Sequence, residues 1–378
     1  MTEPRVALVH ERLTEYGGSE AVVAEFMKVW PDAPVFAPIV EPECRDLLLR
    51  AAGLDTTATD LVRDTPLSRL HAATGGRSHA PLLPFVPRAL RRLPLDSYDA
   101  VVISHHAFAT QAALATDAPV IAYVHSPARW AWDPAFRARE AGGRAGQAAL
   151  TVLGGLARRG ELRAAPKLTR VVANSQAVAR RVEQWWGLPA DVVNPPVRVD
   201  RFAPDPALER EDFFLFAGRL VPYKRPDLAI LAARKAGVRL VILGDGRYRR
   251  QLESLAGPET TFLGAASDEV LLDTYRRCRA LLMPGVEDFG IVPVEAMACG
   301  TPVVAVGAGG ALDTVIPGVS GEHVEAGDDD AVVSGFARAL REFDPSVYDV
   351  TTIRKHAETF SPEAFRGRIA DIVSRNRR

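Results

Sequence analysis

Short runs of apolar residues alternate along the chain with longer segments that carry apolar residues at helical spacing. Most of these runs are continuously apolar, which is typical of parallel strands buried on both faces. Strands that alternate with helices predict βαβ units and an α/β fold. The predicted strands are Arg5–His10, Val35–Pro38, Ala100–Ser104, Val120–His125 and Val171–Asn174, then Phe213–Gly218, Leu240–Gly244, Thr261–Leu263, Ala280–Met283 and Pro302–Val306.

The alternation stops once, in a proline-rich segment near the middle of the chain. The prolines of Asn194–Asp200 and Phe202–Pro206 disfavour both a continuing helix and a central strand. A chain of 378 residues also exceeds what one hydrophobic core usually supports. We therefore expect two Rossmann-like, doubly wound domains, residues 1–195 and 196–360, that face a cleft at the carboxyl ends of their strands. A final helix is expected within 361–378, where it would cross back to the first domain.

The overall composition excludes some classes of function. The 46 basic and 47 acidic residues nearly cancel, so nothing indicates a nucleic-acid-binding protein. Three cysteines are too few for a disulfide framework and favour a reducing cytoplasm. We expect neither a signal peptide nor a membrane span, because no apolar run approaches roughly 18–20 residues.

Two stretches are locally basic. Arg63–Pro94 holds six arginines against one aspartate, and Arg129–Arg170 holds nine basic residues against three acidic ones. One interpretation is a solvated face whose arginine stems lie on apolar surface. The alternative is a peripheral contact with anionic lipid at the inner face of the cell membrane, or with a diphosphate-linked acceptor.

A loop after the strand Phe213–Gly218 carries two cations, Arg219 and Lys224, ahead of a helix that begins near Pro226. Such a pair suits a diphosphate, because a guanidinium grips two oxygens and an ammonium supplies a compact charge. The alternative is two exposed cations at a sheet edge.

Glycine-rich turns follow other strands. Gly244-Asp-Gly246 and Gly307–Gly310 would let backbone amides approach a phosphate or a base. Arg249 stands where a dinucleotide-binding fingerprint needs its third glycine, so that fingerprint is disfavoured. Gly17 and Gly18 open a helix after the first strand and offer a similar anion-tolerant site.

Three histidines, His105, His106 and His125, end strands of the first domain. One such histidine is usually a hydrogen-bonded structural group, but three at one edge favour ligand contact. No set of potential ligands has the spacing of a metal site. Asp328–Asp330 opens a helical pattern and is interpreted as a helix cap.

The segment Pro284–Ala305 places two glutamates around a buried helix entrance. Glu287 lies in a loop after a strand, and the amides of Phe289, Gly290 and Ile291 would lie at the positive end of the helix. Glu295 falls just over one turn inside, where a carboxylate needs a partner. A ribose, with two hydroxyl donors, would provide one; a backbone amide or an arginine is the alternative.

These residues resemble the Glu-x7-Glu motif of retaining GT-B glycosyltransferases, of the family 4 type. The matching residues are Glu287-Asp-Phe-Gly-Ile-Val-Pro-Val-Glu-Ala-Met-Ala-Cys-Gly-Thr-Pro-Val-Val-Ala305. The segment His125-Ser-Pro-Ala-Arg-Trp-Ala-Trp-Asp133 resembles bacterial GDP-mannose-dependent mannosyltransferases. The resemblance implies the GT-B fold and a reaction that needs no metal or other cofactor.

By that resemblance, Arg219 and Lys224 would hold the donor diphosphate and Glu295 the ribose hydroxyls. Glu287 and the amides of residues 289–291 would bind the donor sugar. The complete set of expected donor-binding residues is Gly18, Gly218, Arg219, Lys224, Gly244, Leu263, Glu287, Phe289, Gly290, Ile291 and Glu295.

The first domain would contribute the acceptor side. His125 would contact the transferred sugar, and the strand end at Leu263 in the other domain would border the nucleobase. The expected acceptor-binding residues are Gly17, Gly18, His105 and His106.

The resulting hypothesis is transfer of a hexose, with retention, to the hydroxyl of a glycan, a lipid-linked sugar or a small molecule. His125, Arg219, Lys224 and Glu287 are the expected catalytic residues. GDP-mannose is the expected donor, and a UDP-hexose is the alternative. A GT-B sugar-nucleotide epimerase and a non-catalytic nucleotide-sugar-binding subunit are the rival functions.

Overall fold

The computed structural model describes residues 4–75, 78–134, 136–137 and 143–377. Arg77 and Arg139, which belong to the two basic stretches, lie outside the described residues. The chain divides into two compact units, Met1–Pro196 with Glu363–Arg378, and Val197–Pro362. The observed division lies within two residues of each expected boundary.

The first unit contains a seven-stranded parallel sheet in the order β3-β2-β1-β4-β5-β6-β7. Its strands are β1 (Val6–His10), β2 (Val35–Phe36), β3 (Val62–Arg63), β4 (Ala100–His105), β5 (Val120–Val124), β6 (Arg170–Ala173) and β7 (Asp191–Val192). Its helices are α1 (Gly18–Val29), α2 (Pro42–Ala51), α3 (Pro66–Ala73), α4 (Val86–Leu90), α5 (Arg129–Trp132), α6 (Gly143–Ala164) and α7 (Gln176–Trp186).

The central strands of this sheet are buried on both faces, as continuous apolar runs predict. In β1, Val6 and Leu8 belong to the apolar layer that contains α1 and α2. Ala7 and Val9 belong to the layer on the opposite face. Helices therefore cover both sides of the sheet, and its polar chemistry is confined to the strand ends.

The last helix of the chain, α15 (Pro362–Asn376), belongs to this first unit. The ring of Phe365 stacks on Phe26 of α1, with 5.7 Å between centroids, and meets Tyr123 of β5 edge-on at 5.5 Å. Arg366 forms an ion pair with Glu25, which is also in α1. The predicted terminal helix is therefore present and packs against the first helix.

The second unit contains a six-stranded parallel sheet in the order β10-β9-β8-β11-β12-β13. Its strands are β8 (Phe214–Ala217), β9 (Leu240–Leu243), β10 (Thr260–Gly264), β11 (Leu281–Met283), β12 (Val303–Val306) and β13 (Gly321–Val324). Its helices are α8 (Pro226–Ala236), α9 (Arg249–Leu255), α10 (Asp268–Arg277), α11 (Ile291–Ala298), α12 (Ala311–Thr314), α13 (Asp329–Glu342) and α14 (Val350–Glu358).

All ten predicted strands are present, with ends that differ by one or two residues. Three strands were not predicted: β3 and β7, which have two residues each, and β13. A two-residue strand carries no recognisable period, and Gly-Glu-His-Val in β13 has polar residues at its centre. Each of the three lies at an edge of its sheet, where burial on both faces is not required.

Candidate active site

In the second unit, Lys224 and Glu287 form an ion pair at the carboxyl edge of the sheet. Lys224 Nζ donates to Glu287 Oε1 at 2.6 Å, and the two side chains are 11% and 21% exposed. Lys224 ends a short 3-10 helix, Pro222–Lys224, after β8, and Glu287 lies in the loop after β11. Because β8 and β11 are adjacent parallel strands, their following loops meet at the same edge of the sheet.

The backbone at Arg225 turns the chain from this 3-10 helix into α8. Arg225 has a left-handed φ of 56°, which is uncommon for a residue with a side chain. Its guanidinium binds Asp227 at 2.9 Å and Asp329 at 2.6 Å, so two carboxylates hold the turn in place. The turn thereby fixes the position of Lys224 before the helix begins.

Glycines allow the neighbouring loops to touch through their backbones. A Cβ atom on Gly244 would lie 1.9 Å from the carbonyl oxygen of Gly218, and one on Gly246 would lie 2.4 Å from that of Leu220. A Cβ on Gly285 would lie 2.6 Å from the carbonyl oxygen of Lys224. Close packing against the Gly218 carbonyl therefore explains why a glycine occupies position 244. The loop that carries Lys224 contacts the backbone of Gly246 on one side and of Gly285 on the other.

The turn after β12 supports the Glu287 loop in the same way. The amide of Gly310 donates to the carbonyl of Glu287 at 2.9 Å. A Cβ on Gly310 would lie 2.2 Å from the carbonyl oxygen of Phe289, and one on Gly309 would lie 2.4 Å from that of Glu287. The turn therefore holds the Glu287 loop in place, and the approach of its amides to a ligand stays a prediction.

Helix α11 begins beside this loop, as the sequence predicts. Its N-cap is Gly290, with a φ of 95° that favours glycine. The Phe289 side chain is buried and meets the ring of Phe360 at 5.6 Å, so only its backbone is available to a ligand. Ile291, the first helical residue, is partly exposed.

Glu295 lies in α11 and is only partly exposed. Its Oε2 accepts a hydrogen bond from the hydroxyl of Tyr275 in α10 at 3.2 Å. Burial raises the pKa of Glu295, although Tyr275 and the charges of Arg198, Arg201 and Lys224 oppose that shift. No described residue donates to Oε1, so one carboxylate oxygen can accept a hydrogen bond from a ligand.

Two further expected donor residues are exposed near this edge. Arg219 directly follows Gly218 and has no ion pair with any residue that the structure describes. Leu263, at the end of β10, is 46% exposed. The second unit therefore places Gly218, Arg219, Lys224, Leu263, Glu287 and Glu295 at or beside the carboxyl edge of one sheet.

In the first unit, a buried hydrogen-bonded chain connects the ends of three strands. Ser104 Oγ lies 2.8 Å from His125 Nε2 and 3.0 Å from His10 Nδ1. His10 Nε2 lies 3.0 Å from Glu20 Oε1 in α1. Burial, followed by the charge of His106, lowers the pKa of His125 well below its ordinary value. His125 therefore sits at this edge as a neutral, partly exposed imidazole.

The structure corrects the expectation that His105 contacts a ligand. His105 is fully buried, its Nε2 lies 3.0 Å from Glu161 Oε1, and its Nδ1 accepts from the amide of Thr110. Both ring nitrogens are therefore occupied within the fold. The side chain is a structural group, which is the ordinary role of a histidine at a strand end.

Glu161, in α6, is the centre of this buried structure. Its carboxylate accepts from the amide of Ala128 at 3.0 Å and from the indoles of Trp186, at 3.2 Å, and Trp132. It thereby ties the loop after His125 to α6. The aromatic cluster in this loop is consequently part of the packing of the first unit.

The glycine pair and His106 remain beside the chain of hydrogen bonds. The amide of Gly17 donates to Glu20 Oε2 at 2.9 Å, so Glu20 already occupies that donor. Gly18 is the first residue of α1. The ring of His106 lies 5.8 Å from that of His10 and 6.0 Å from that of His125, and its buried Nε2 has no hydrogen-bond partner among the described residues.

The sequence pattern does not identify His10, Glu20 and Ser104 in the first unit or Tyr275 in the second as functional residues. Glu20 had a recognisable signal. The side chain of a glutamate at the third position of a helix commonly accepts a hydrogen bond from the backbone amide of the residue that precedes the helix. Ser104 and Tyr275 had none, because their partners lie on strands or helices that are distant along the chain.

The cysteines and the acidic cluster do not form reactive sites. Burial raises the pKa of Cys44, Cys278 and Cys299 to about 12, so these thiols stay protonated. Asp328 accepts from the amide of Ala331 at 2.8 Å, which confirms the predicted helix cap.

Within the described ranges, no group of three or more His, Cys, Asp or Glu side chains could hold a metal ion. No helix in those ranges is long and apolar enough to cross a membrane.

Comparisons with known proteins agree with this geometry. Residues 16–201 match the family model "Glycosyltransferase Family 4", and residues 200–346 match "Glycosyl transferases group 1". The D-inositol 3-phosphate glycosyltransferase of Mycolicibacterium smegmatis is 34% identical over 193 residues, which cover 45% of this chain and 44% of that protein. The enzyme of the same description from Mycolicibacterium paratuberculosis is 33% identical over 227 residues, 53% and 52% of the two chains. The chain thus spans about half the length of the curated relatives it matches.

Solved structures share the fold over nearly the whole chain. Anabaena HepE in complex with UDP-glucose has a TM-score of 0.68 at 20% identity, covering 98% of this chain and 100% of that one. Sucrose-phosphate synthase from Thermosynechococcus elongatus has a TM-score of 0.70 at 19% identity, covering 99% of each chain. These similarities, with the two parallel-sheet units, confirm the GT-B architecture. Since the two family models together match residues 16–346, the chain belongs to the glycosyltransferase family of the GT-B type.

Proposed function

We propose that this glycosyltransferase moves a hexose from a nucleoside diphosphate sugar to a hydroxyl acceptor, with retention at the anomeric carbon. The observation that carries the proposal is the Lys224–Glu287 ion pair at the carboxyl edge of the second sheet, beside the first turn of α11. A diphosphate needs cations and a sugar needs hydrogen-bond acceptors, and this pair offers one of each.

Negative charge develops on the leaving phosphate as the glycosidic bond breaks. Lys224 and the guanidinium of Arg219 stabilise that charge, together with the amides at the start of α11. Glu287 binds hydroxyls of the donor sugar, and the hydrogen bond from Lys224 Nζ holds its Oε1 in position. The reaction in this proposal uses protein cations in place of a divalent metal, so a chelator should leave the rate unchanged.

Glu295 binds the ribose of the donor. Its Oε2 is oriented by Tyr275, and its Oε1 is available to accept from a hydroxyl. His125 contacts the transferred sugar, in the role that the family resemblance assigns to it. Gly17, Gly18 and His106 are proposed to bind the acceptor. His105 is buried and is no longer proposed as an acceptor-binding residue.

The identity of the nucleobase in the donor, guanine or uracil, distinguishes two versions of this proposal. The segment His125–Asp133 supports GDP-mannose, as expected from the sequence. The complex of Anabaena HepE with UDP-glucose supports the alternative, a UDP-hexose. Calorimetric titration with GDP and UDP separates the two versions, because tighter binding of UDP would exclude the GDP-mannose version.

The proposal is tested by incubating the protein with each nucleotide sugar and a panel of hydroxyl acceptors. Release of nucleoside diphosphate with formation of a glycoside, whose anomeric configuration is read by NMR, is the expected result. Conversion of the sugar nucleotide without an acceptor would instead identify an epimerase. Donor binding with neither transfer nor hydrolysis would identify a binding subunit.

An apolar groove in the first unit supports contact with an anionic lipid surface. The groove has a volume of about 590 Å³. Phe85 is 56% exposed there, and Arg88 and Arg92 have no ion pair among the described residues. The residues that line it include Phe36, Leu67, Phe85 and Leu93, and the arginines Arg63, Arg88 and Arg92.

Arginines beside exposed apolar side chains bind an interface through charge and burial together. We expect the protein to sediment with phosphatidylglycerol vesicles and not with phosphatidylcholine vesicles, at the cytoplasmic face in the cell. The double variant Arg88→Glu/Arg92→Glu should abolish sedimentation, whereas Arg50→Glu, an exposed arginine of α2, should not. Equal sedimentation of all three proteins would contradict this contact.

A further inference from the structure

Glu20, His10, Ser104 and His125 form an unbroken line of side-chain contacts in the first unit. The three distances along it are 3.0 Å, 3.0 Å and 2.8 Å. Glu20, His10 and Ser104 are 7%, 0% and 1% exposed, so water does not compete for their hydrogen bonds. His125 is the one partly exposed member of the line.

The protonation state of His10 determines which atoms donate along this line. An ionised Glu20 can only accept, so His10 Nε2 carries a hydrogen. A neutral His10 then has an unprotonated Nδ1, which accepts from the Ser104 hydroxyl. The Ser104 oxygen is left to accept from His125 Nε2–H. This order leaves Nδ1 of His125 without a proton and able to accept a hydrogen bond.

The opposite state of His10 would reverse every donor. A charged His10 would donate through Nδ1 to Ser104, whose hydroxyl would then donate to His125 Nε2. In that state Nδ1 of His125 would carry the proton and would become a donor. The ionisation of His10 and the tautomer of His125 are therefore coupled through a single hydroxyl group.

We propose that Glu20, His10 and Ser104 are positioning residues that hold His125 as the Nε2–H tautomer and so present Nδ1 as an acceptor to a hydroxyl of the transferred sugar. This inference rests on the proposed function, which places His125 against that sugar. The line itself rests on distances within one unit.

The charged and titratable groups around His125 are consistent with a neutral ring. Burial is the largest cause that lowers the pKa of His125 and of His106, and the charge of Arg12 adds to the effect at His106. Glu20 opposes it in both cases. Burial alone would raise the pKa of Glu20, but its hydrogen bonds with His10, with the backbone of the Gly17–Glu20 turn and with Ser19 lower it, so the carboxylate stays ionised.

The decisive variant is Ser104→Ala, which removes the central hydroxyl and leaves both histidines in place. Ser104→Thr restores a hydroxyl, and Ser126→Ala removes a buried, unbonded hydroxyl next to His125 as a matched control. Long-range 15N–1H NMR spectra of the side chains identify the tautomer of each histidine without any need for turnover. Thermal denaturation of each variant reports whether the fold is retained.

The wild type and Ser126→Ala should show His125 as the Nε2–H tautomer. Ser104→Ala should show a mixture of tautomers, a kcat lower by about fivefold and an unchanged nucleotide Kd, because one hydrogen bond contributes on the order of 1 kcal/mol. Ser104→Thr should recover most of the kcat. The pH dependence of kcat should also change in Ser104→Ala, since His125 is no longer coupled to His10.

Two results would overturn the inference. One is an Nδ1–H tautomer of His125 in the wild type, whatever the protonation state of His10. The other is a Ser104→Ala variant that loses only thermal stability, with its tautomer and kcat unchanged. If no hexose transfer is found with any donor, the proposed function fails while the NMR spectra still decide whether the line of hydrogen bonds sets the tautomer.

Discussion

Lys224 and Glu287 are 63 positions apart in the sequence and 2.6 Å apart at their charged atoms. The contact exists because β8 and β11 are neighbours in a parallel sheet, so the loops that follow them leave the same edge. It joins a cation suited to phosphate with a carboxylate suited to sugar hydroxyls. The four predictions below concern Lys224 of this pair, the carboxylates of Glu295 in the second unit and Glu20 in the first, and the backbone packing of Gly310.

Replacing Lys224 with alanine should lower turnover by roughly 10²–10³ fold. Loss of one preorganised contact to a charge that develops in the transition state costs about 2.7–4 kcal/mol of barrier. The steady-state rate of nucleoside diphosphate release measures the effect. Lys235→Ala, which removes an exposed lysine bonded to Ser334, is the control and should keep the wild-type rate. Near-normal turnover of Lys224→Ala would exclude the proposed role.

Glu295→Gln should stabilise the protein more at neutral pH than at acid pH. The pKa of folded Glu295 lies above its ordinary value of 4.5, so its contribution is fully present below that value and is lost as pH rises through the folded pKa. Glutamine does not ionise and avoids that loss. Urea denaturation at about pH 4 and about pH 7 should show the difference between variant and wild type growing with pH. The same variant should bind nucleotide more weakly, because the ribose loses a charged acceptor.

Glu20→Gln should have the opposite pH dependence. The pKa of folded Glu20 is lowered, so its contribution is present above the ordinary value of 4.5 and is lost as pH falls through the folded pKa. The variant should therefore be less stable than the wild type at neutral pH, and the two should converge in acid. Denaturation midpoints across the pH range measure this, and a difference independent of pH would show that charge is not the cause.

Gly310→Ala should damage the donor site through its backbone. Gly310 has an ordinary helical φ of −71°, so alanine introduces no torsional strain, but its Cβ would lie 2.2 Å from the carbonyl oxygen of Phe289. We expect a loss of roughly 1–3 kcal/mol of stability and a weaker nucleotide affinity, because the Glu287 loop must move. Gly367→Ala in α15, where no heavy atom lies within 4 Å of the added Cβ, should instead be neutral or stabilising by up to about 1 kcal/mol. Equal behaviour of the two variants would contradict the packing argument.

Sequence patterns were least informative about whether a histidine is structural or lies at the candidate site. His105 and His106 are adjacent, yet one is fully buried against Glu161 and the other lies beside His10 and His125. His105 is the last residue of β4 and His106 follows the strand, and the side chains that surround the two come from different elements. The difference is therefore invisible without the positions of α6 and β1.

Sequence alone determined the elements and the motif of this protein. Continuous apolar runs specified ten parallel strands, because a strand covered on both faces excludes polar side chains from its interior. Local rules also predicted the cap at Asp328 and the start of α11 beside Glu287, because both depend on residues a few positions apart.

Only the tertiary structure decided which polar groups meet. Lys224 with Glu287, Tyr275 with Glu295, and His10 with Ser104 and His125 all join elements far apart in the chain. Their contacts depend on strand order and helix placement, which arise from the packing of whole elements. The sequence next to a residue does not specify that order. The contacts between polar side chains in both units could therefore be identified only from the tertiary structure.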